Sequence, residues 1–459
     1  MKLVGSVLKK LYRILDKECV KTEKEELVLY SYDAAGQSFL PDAVVFPTTE
    51  DQISQILKLA NQERFYVTPR GSGSGMTGGA LPVKGGVVMV LNRLNRIMTI
   101  DCENLYVKVQ PGVITGDLHR AVEDHGLFYP PDPASSAFCT IGGNIGECAG
   151  GPRAVKYGVT RDYVLGLRAV LPTGEVIKTG VATSKGVAGY DLTRLITGSE
   201  GTLAVVSEIT LKLIALPEKV KTMALLFDNV ENAAGTVSEI MAESVLPRCV
   251  EFMDSASINC VKDKFGFDIP GSVEAMLLIE IDGDGDIVAD NFKKLEDFLR
   301  PRNIQKILCA DNEEQAKDLW KARKALSPAL FKIAPNKINE DIVVPVNRIP
   351  DLVRKIEDLK RTRGFFMASF GHAGDGNIHC NLMYNKQIPG EQEKACKVVD
   401  ELFSFVIKLG GTITGEHGVG ITKKRYLPCE IGTTEIQIME KIKAVFDPNG
   451  ILNPGKIFS

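Results

Sequence analysis

Two rhythms of apolar and polar positions run along this chain. A period of two, the mark of a half-buried strand, runs through residues 106–110. Short apolar runs at 43–46, 65–68 and 86–91 read as further strands, and 163–213 is strand-rich. Helical spacing covers much of 1–30 (a helix, then a charged connector), 49–60 and 115–125. Thr49 with Gln52 three positions later reads as a capping box for the second of these. The texture changes near 217. Strands are predicted at 221–227, 276–282 and 305–309, helices at 230–243, 287–300 and 312–332, and a last helix at 391–409. Strands that return antiparallel between helices predict an α+β sheet with helices on one face.

Glycine clusters interrupt both rhythms. Arg70 opens Arg-Gly-Ser-Gly-Ser-Gly-Met-Thr-Gly-Gly79, which contains G-x-G-x-x-G at Gly73, Gly75 and Gly78. A dinucleotide fingerprint needs a helix next and an acidic residue about 20 positions on. Here a strand follows, and 92–96 reads Asn-Arg-Leu-Asn-Arg, so an NAD site is rejected. What remains is a turn whose bare amides can wrap a pyrophosphate. Residues 140–151 read as a second glycine loop, and Gly198-Ser-Glu-Gly201 is a third feature. Asp282-Gly-Asp-Gly-Asp286 imitates a calcium loop, but Ile287 and Lys293 stand where glycine and glutamate are required.

Three of the five histidines fall in two short segments, Phe370–Asn381 and Gly415-Glu-His-Gly418. Asp375-Gly376 between apolar runs predicts a two-residue hairpin turn. That turn would set His372 opposite His379, with Asn381 on the same face. Two imidazoles there can share a metal ion, Glu416 can supply a third ligand, and His417 stands beside it as a base. A stacked histidine pair in a partly wet sheet is the plainer alternative.

The 459 residues are enough for two or more domains, and the net charge of −3 argues against a nucleic-acid partner. Ten cysteines contain no C-x-x-C, which leaves no iron–sulfur run or zinc ribbon. No run of 18 apolar residues occurs, so nothing membrane-spanning is expected. The first fifteen residues lack a signal-peptide pattern, and a cytoplasmic protein with free thiols is expected.

These glycine features, the histidine hairpin, Gly415-Glu-His-Gly418 and Asn453-Pro-Gly-Lys456 follow one another in an order that resembles the FAD-linked D-2-hydroxyacid dehydrogenase family. That family includes D-lactate dehydrogenases, glycolate oxidase catalytic subunits and D-2-hydroxyglutarate dehydrogenases, and the likeness spans nearly the whole chain. The resemblance implies a two-part FAD-binding domain of the vanillyl-alcohol-oxidase (PCMH) type, 1–216 completed by 411–459, with an antiparallel-sheet substrate cap, 217–410, inserted between. It implies FAD contacts from Arg70, Gly71, Ser72, Gly73, Ser74, Gly75, Met76 and Thr77, from Pro111, Gly112 and Asp132, from Thr140, Gly142, Gly143, Asn144 and Gly151, and from Glu200, Gly201 and Asn453. His372, His379 and Glu416 match the ligands of one divalent metal (zinc, iron or manganese). His417 matches the catalytic base, Asn381 a substrate contact and Arg323 the carboxylate-binding arginine. Ser327 stands where some relatives carry threonine, and a family lysine falls near Lys337. Relatives with covalent flavin carry histidine where this chain has Ser74, which implies non-covalent FAD.

The chemistry implied is oxidation of D-lactate to pyruvate by hydride transfer to FAD. Arg323 would grip the carboxylate with two prongs, which lysine cannot do. His417 would take the hydroxyl proton. With no cysteine cluster of its own, the chain would pass electrons to an electron-transfer flavoprotein, an iron–sulfur subunit or a membrane-surface quinone. A glycolate oxidase subunit is the alternative within the class. A metallohydrolase could use the same two histidines and glutamate to activate water.

Overall fold

The computed structural model describes residues 5–183 and 185–458. The chain divides into two compact units. The first comprises Met1–Gly150, Val159–Leu216 and Glu416–Ser459; the second comprises Gly151–Gly158 and Pro217–Gly415.

The first unit holds a four-stranded sheet and a five-stranded one. In the four-stranded sheet Val87–Val90 pairs in parallel with both Ala43–Val45 and Val67–Arg70, and Val20–Lys21 closes one edge. Every side chain of Val87–Val90 is buried, the unbroken apolar run of a strand covered on both faces. The helix Glu50–Glu63 lays Ile53, Ile56, Leu57 and Ala60 into the same core, one stripe at helical spacing. Thr49 caps it by accepting from the Gln52 amide at 3.2 Å. The return bond of the expected capping box goes elsewhere: Gln52 Oε1 accepts from the Thr48 amide at 2.7 Å. The five-stranded sheet is antiparallel, in the order Ile97–Asp101, Tyr106–Val109, Val205–Lys212, Val164–Val170, Val176–Gly180.

One expected loop of this unit is a helix. Ile141–Glu147 is helical, with Thr140 accepting from the Gly143 amide at 3.2 Å and Cys148 ending it in the left-handed region at φ 55°. Each interior glycine disfavours a helix by about 1 kcal/mol. Burial of Ile141 and Ile145, four apart on one face, offsets that. A further helix, Thr433–Phe446, follows the one expected to be last, Glu391–Lys408.

The second unit is a seven-stranded antiparallel sheet in the order Lys306–Cys309, Lys219–Phe227, Ala275–Gly283, Cys249–Asp254, Phe366–His372, Asn377–Tyr384, Asn336–Val343. The helix Glu313–Ala329 packs Leu319, Ala322 and Leu326 into a cluster with Met253, Leu278, Phe370 and Met383 from one face of that sheet. The eight-residue piece Gly151–Gly158 is tied to the same unit. Lys156 Nζ donates to both Asp282 Oδ1 (2.5 Å) and the Asp282 carbonyl (2.8 Å), and the Tyr157 hydroxyl donates to Asp282 Oδ2 (2.8 Å).

The histidine hairpin departs from the predicted two-residue turn. Ala373–Asp375 form a 3₁₀ turn closed by Gly376 at φ 83°, where a Cβ would lie 2.0 Å from the Val344 carbonyl oxygen. The longer turn shifts the register, so that Phe370 rather than His372 faces His379; across the strand's other edge His372 faces Glu251. The shift is even, and strand side chains alternate with period two, so both histidines keep the same face. Their rings still meet, with centroids 5.2 Å apart at 89°.

Candidate active site

A cavity in the first unit is walled largely by backbone. Pro69 to Met76, Gly79 and Ala80 form one side; Pro111, Thr140, Gly142 to Glu147 and Ala149 form another; Ser199 to Gly201, Ala204 to Val206, Glu416 and His417 complete most of it. Close packing makes glycine obligatory here. A Cβ on Gly71 would lie 2.3 Å from Thr140 Oγ1, and one on Gly142 would lie 2.6 Å from the Pro111 Cβ. Arg70 is buried, and Nη2 donates to the Tyr32 carbonyl at 2.8 Å while Nη1 has no partner. An orphan guanidinium N–H beside bare backbone amides fits an anionic group such as a pyrophosphate. The apolar wall and the glycine-smooth approach fit a flat ring system, so the residues present suit FAD.

His417 is held from both sides. The Thr77 hydroxyl donates to its carbonyl at 3.0 Å, and Glu200 accepts from the Val419 and Gly420 amides, each at 2.7 Å. Glu200 adopts φ 52°, an unfavourable conformation for a side-chain-bearing residue that turns its carboxyl toward this turn. Glu147 packs against the same turn: a Cβ on Gly418 would lie 2.3 Å from its Oε2. Burial, then the charge of Glu200, pushes the Glu147 carboxyl well above the ordinary range. Burial likewise raises Glu200, against the pull of the Val419 and Gly420 amides. Burial pushes Asp33 up to about 6 and Lys456 down to about 8.

The second unit carries a cluster made of side chains. Register places Glu251, His372, His379, Asn381, Asp341 and Lys337 on one face of the sheet. His372 Nδ1 lies 2.5 Å from Glu251 Oε1. Arg323, delivered by Glu313–Ala329, sets Nε and Nη2 each 2.6 Å from Glu251 Oε2 and lies 4.9 Å from the centre of the Phe370 ring. Burial pushes the Glu251 carboxyl up, but Arg323 and the His372 ring beside it more than reverse this and hold it at about 2. Asp341 lies 3.7 Å from His379 Nδ1. It also accepts from Asn377 Nδ2 at 2.7 Å, the Thr414 hydroxyl at 3.1 Å and the Gly415 amide at 3.0 Å. Asn381 Oδ1 is buried without a partner. Two imidazoles and an orphan carbonyl oxygen suit a borderline divalent ion or a polar substrate beside it. Lys337 Nζ donates to Ser327 Oγ at 2.7 Å, and burial lowers its pKa to about 8.

Several residues expected at the flavin are not among those lining the cavity. Thr77 holds the His417 carbonyl, and Asn453 donates to the carbonyls of Gly79 (3.0 Å) and Glu200 (2.7 Å). The Gly112 amide donates to the Leu94 carbonyl at 2.7 Å. Asp132 lies just outside the lining, whose nearest members are Pro133 to Ser135, and Gly151 belongs to the second unit. Sequence reasoning missed Glu147, Glu251 and Asp341. For Glu251 the available signal was a lone acidic residue inside an apolar strand, Cys249-Val-Glu-Phe-Met253. All ten cysteines are free, and among the described residues no helix is long and apolar enough to cross a membrane.

Comparison with known proteins accords with this construction. Residues 41–180 match the FAD binding domain family, and 216–457 match the family described as FAD linked oxidases, C-terminal domain. The chain is 45% identical over 433 residues to glycolate oxidase subunit GlcD of Bacillus subtilis (strain 168), covering 94% of this chain and 92% of that one. It is 38% identical over 425 residues to a D-lactate dehydrogenase of Anaerostipes hadrus, covering 91% and 89%. Among solved structures, p-cresol methylhydroxylase with substrate bound superposes with a TM-score of 0.82 at 19% identity, covering 99% of this chain and 96% of that one. At that identity only the fold is shared, and it is the FAD-binding fold of the vanillyl-alcohol-oxidase type with its antiparallel sheet. Long matches at such identity leave one assignment: this chain belongs to the FAD-linked oxidases, as an FAD-dependent oxidoreductase of the group that contains glycolate oxidase GlcD subunits and D-lactate dehydrogenases.

Proposed function

We propose that the chain oxidises D-lactate to pyruvate and passes the electrons to a partner protein, an electron-transfer flavoprotein or an iron–sulfur subunit. The observation that carries the reading is the polar face of the second unit, where His372, Glu251 and Arg323 form one hydrogen-bonded line. In this reading residues 1–216 with 411–459 bind FAD non-covalently, Ser74 standing where a tethering histidine would be, and 217–410 receives substrate.

When bound, FAD would accept the hydride equivalent from the substrate carbon, and His372, His379 and Glu416 would hold a divalent ion whose charge would polarise the substrate hydroxyl. The remaining work falls to side chains. Arg323 presents Nη1 and the outer N–H of Nη2 to the substrate carboxylate, because its Nε edge is occupied by Glu251. Lys337 adds a second positive charge on the same sheet face, and Asn381 offers its unpaired carbonyl to the hydroxyl. His417, with its backbone fixed by Thr77 and Glu200, takes the hydroxyl proton. Membership in an FAD-linked oxidoreductase group removes the hydrolase reading. Glycolate is the second reading, supported by the 45% identity to a glycolate oxidase subunit.

The test is anaerobic mixing of the yellow protein with D-lactate, L-lactate and glycolate. Flavin bleaching by D-lactate alone is expected; bleaching by glycolate alone would transfer the assignment to the second reading, and no bleaching by any 2-hydroxy acid would defeat both. Acid precipitation should release the flavin into the supernatant, and yellow protein in the pellet would refute the non-covalent assignment.

A further inference from the structure

Glu251 is fully buried in a strand whose neighbours Val250, Phe252 and Met253 are also buried. An ionised carboxylate in such a place is costly unless both oxygens are engaged. Here they are, and by two different functional groups. Oε1 meets His372 Nδ1 at 2.5 Å; Oε2 receives Arg323 Nε and Nη2, each at 2.6 Å.

We propose that Glu251 is a positioning residue that sets the metal-binding arm and the substrate-binding arm of the site with one carboxylate. The inference rests on the metal and substrate reading given above. Its first half concerns His372. A carboxylate on Nδ1 keeps the proton there, which leaves the Nε2 lone pair for an ion and fixes the plane of the ring. Its second half concerns Arg323. With Nε and the near side of Nη2 taken, the guanidinium can grip a carboxylate only end-on, and Phe370 at 4.9 Å braces its plane. The reach of substrate from the ion is then set by a single glutamate, which touches neither.

The experiment uses the full-length FAD-loaded protein, stripped of metal by chelation and titrated with Zn²⁺ in calorimetry. Glu251→Gln keeps the shape and removes the charge. It should weaken Zn²⁺ binding by about 10- to 100-fold, the usual effect of losing a carboxylate behind a ligating histidine. It should also raise KM for the 2-hydroxy acid, because Arg323 loses its fixed edge. Should the single variant fold poorly around an unbalanced arginine, Glu251→Gln/Arg323→Gln removes both charges, and the same loss of Zn²⁺ affinity is expected. Zn²⁺ affinity within twofold of the parent in the folded variants would overturn the proposal, since a purely structural glutamate would change stability and not metal affinity. His372→Ala separates the two layers of the reading. Loss of Zn²⁺ binding there with retention in the Glu251 variants defeats the Glu251 proposal alone, whereas retention in His372→Ala defeats the metal assignment beneath it.

Discussion

The cavity of the first unit and the cluster of the second are built from opposite materials. One is a hollow of glycine backbone, in which Gly71 and Gly142 have no room for a methyl group. The other is a packed face of long side chains in which Glu251, His372 and Arg323 touch. A site made of absent atoms is damaged by adding one, and a site made of side chains is damaged by removing one. The two should therefore fail differently, with binding lost in the first and turnover or affinity for small ions and acids lost in the second.

His417 tests the contrast most severely, since it lines the backbone cavity and yet, in the proposed reaction, works through its side chain. His417→Ala should keep its FAD absorbance and lose about 10²- to 10⁴-fold in the rate of flavin reduction, measured by anaerobic stopped flow. Gly71→Ala should show the reverse, with weakened FAD retention on gel filtration. Overpacking costs about 1–3 kcal/mol, or roughly 5- to 150-fold in affinity. Thr140 cannot simply step aside, because its hydroxyl caps the helix Ile141–Glu147. Thr140→Ala added to Gly71→Ala should restore part of the FAD affinity, at the expense of about 1 kcal/mol of helix capping.

The smallest expected effect is a pH dependence in the second unit. Lys337 is protonated below about 8 and neutral above it. Substrate KM should rise as pH passes 8, by about tenfold one unit above the midpoint, and Lys337→Met should flatten that rise. Stability moves in the other direction. The folded pKa lies below the ordinary value of 10.5, so the penalty of burying the charged form weighs on the fold below pH 8 and is relieved as pH rises toward 10.5.

What the sequence disclosed follows the range of the interactions involved. That His372 and His379 meet on one sheet face was legible because Asp375-Gly376 is a local turn signal between apolar runs. The pairing register was not, because the turn closes through the 3₁₀ segment Ala373–Asp375 with Gly376 against the Val344 backbone, a neighbour remote in sequence. Glu251 and Asp341 meet their histidines across strands, Glu251 from 121 positions away, and no local pattern announces such a pairing. The helix Ile141–Glu147 was hidden by its glycines, which signal a loop by propensity while buried isoleucines decide otherwise. Arg323 was legible only through family resemblance, since its helix reads as an ordinary amphipathic one.

The chain leaves the first unit at Gly150, returns at Val159, leaves again after Leu216 and returns for good at Glu416. Anyone exchanging the long insertion 217–415 alone would therefore leave eight residues of the second unit behind. Lys156 and Tyr157 would then arrive without the aspartate that receives them, Asp282. A working chimaera has to carry both pieces, because the second unit of this chain is written as two interleaved segments rather than as one cassette.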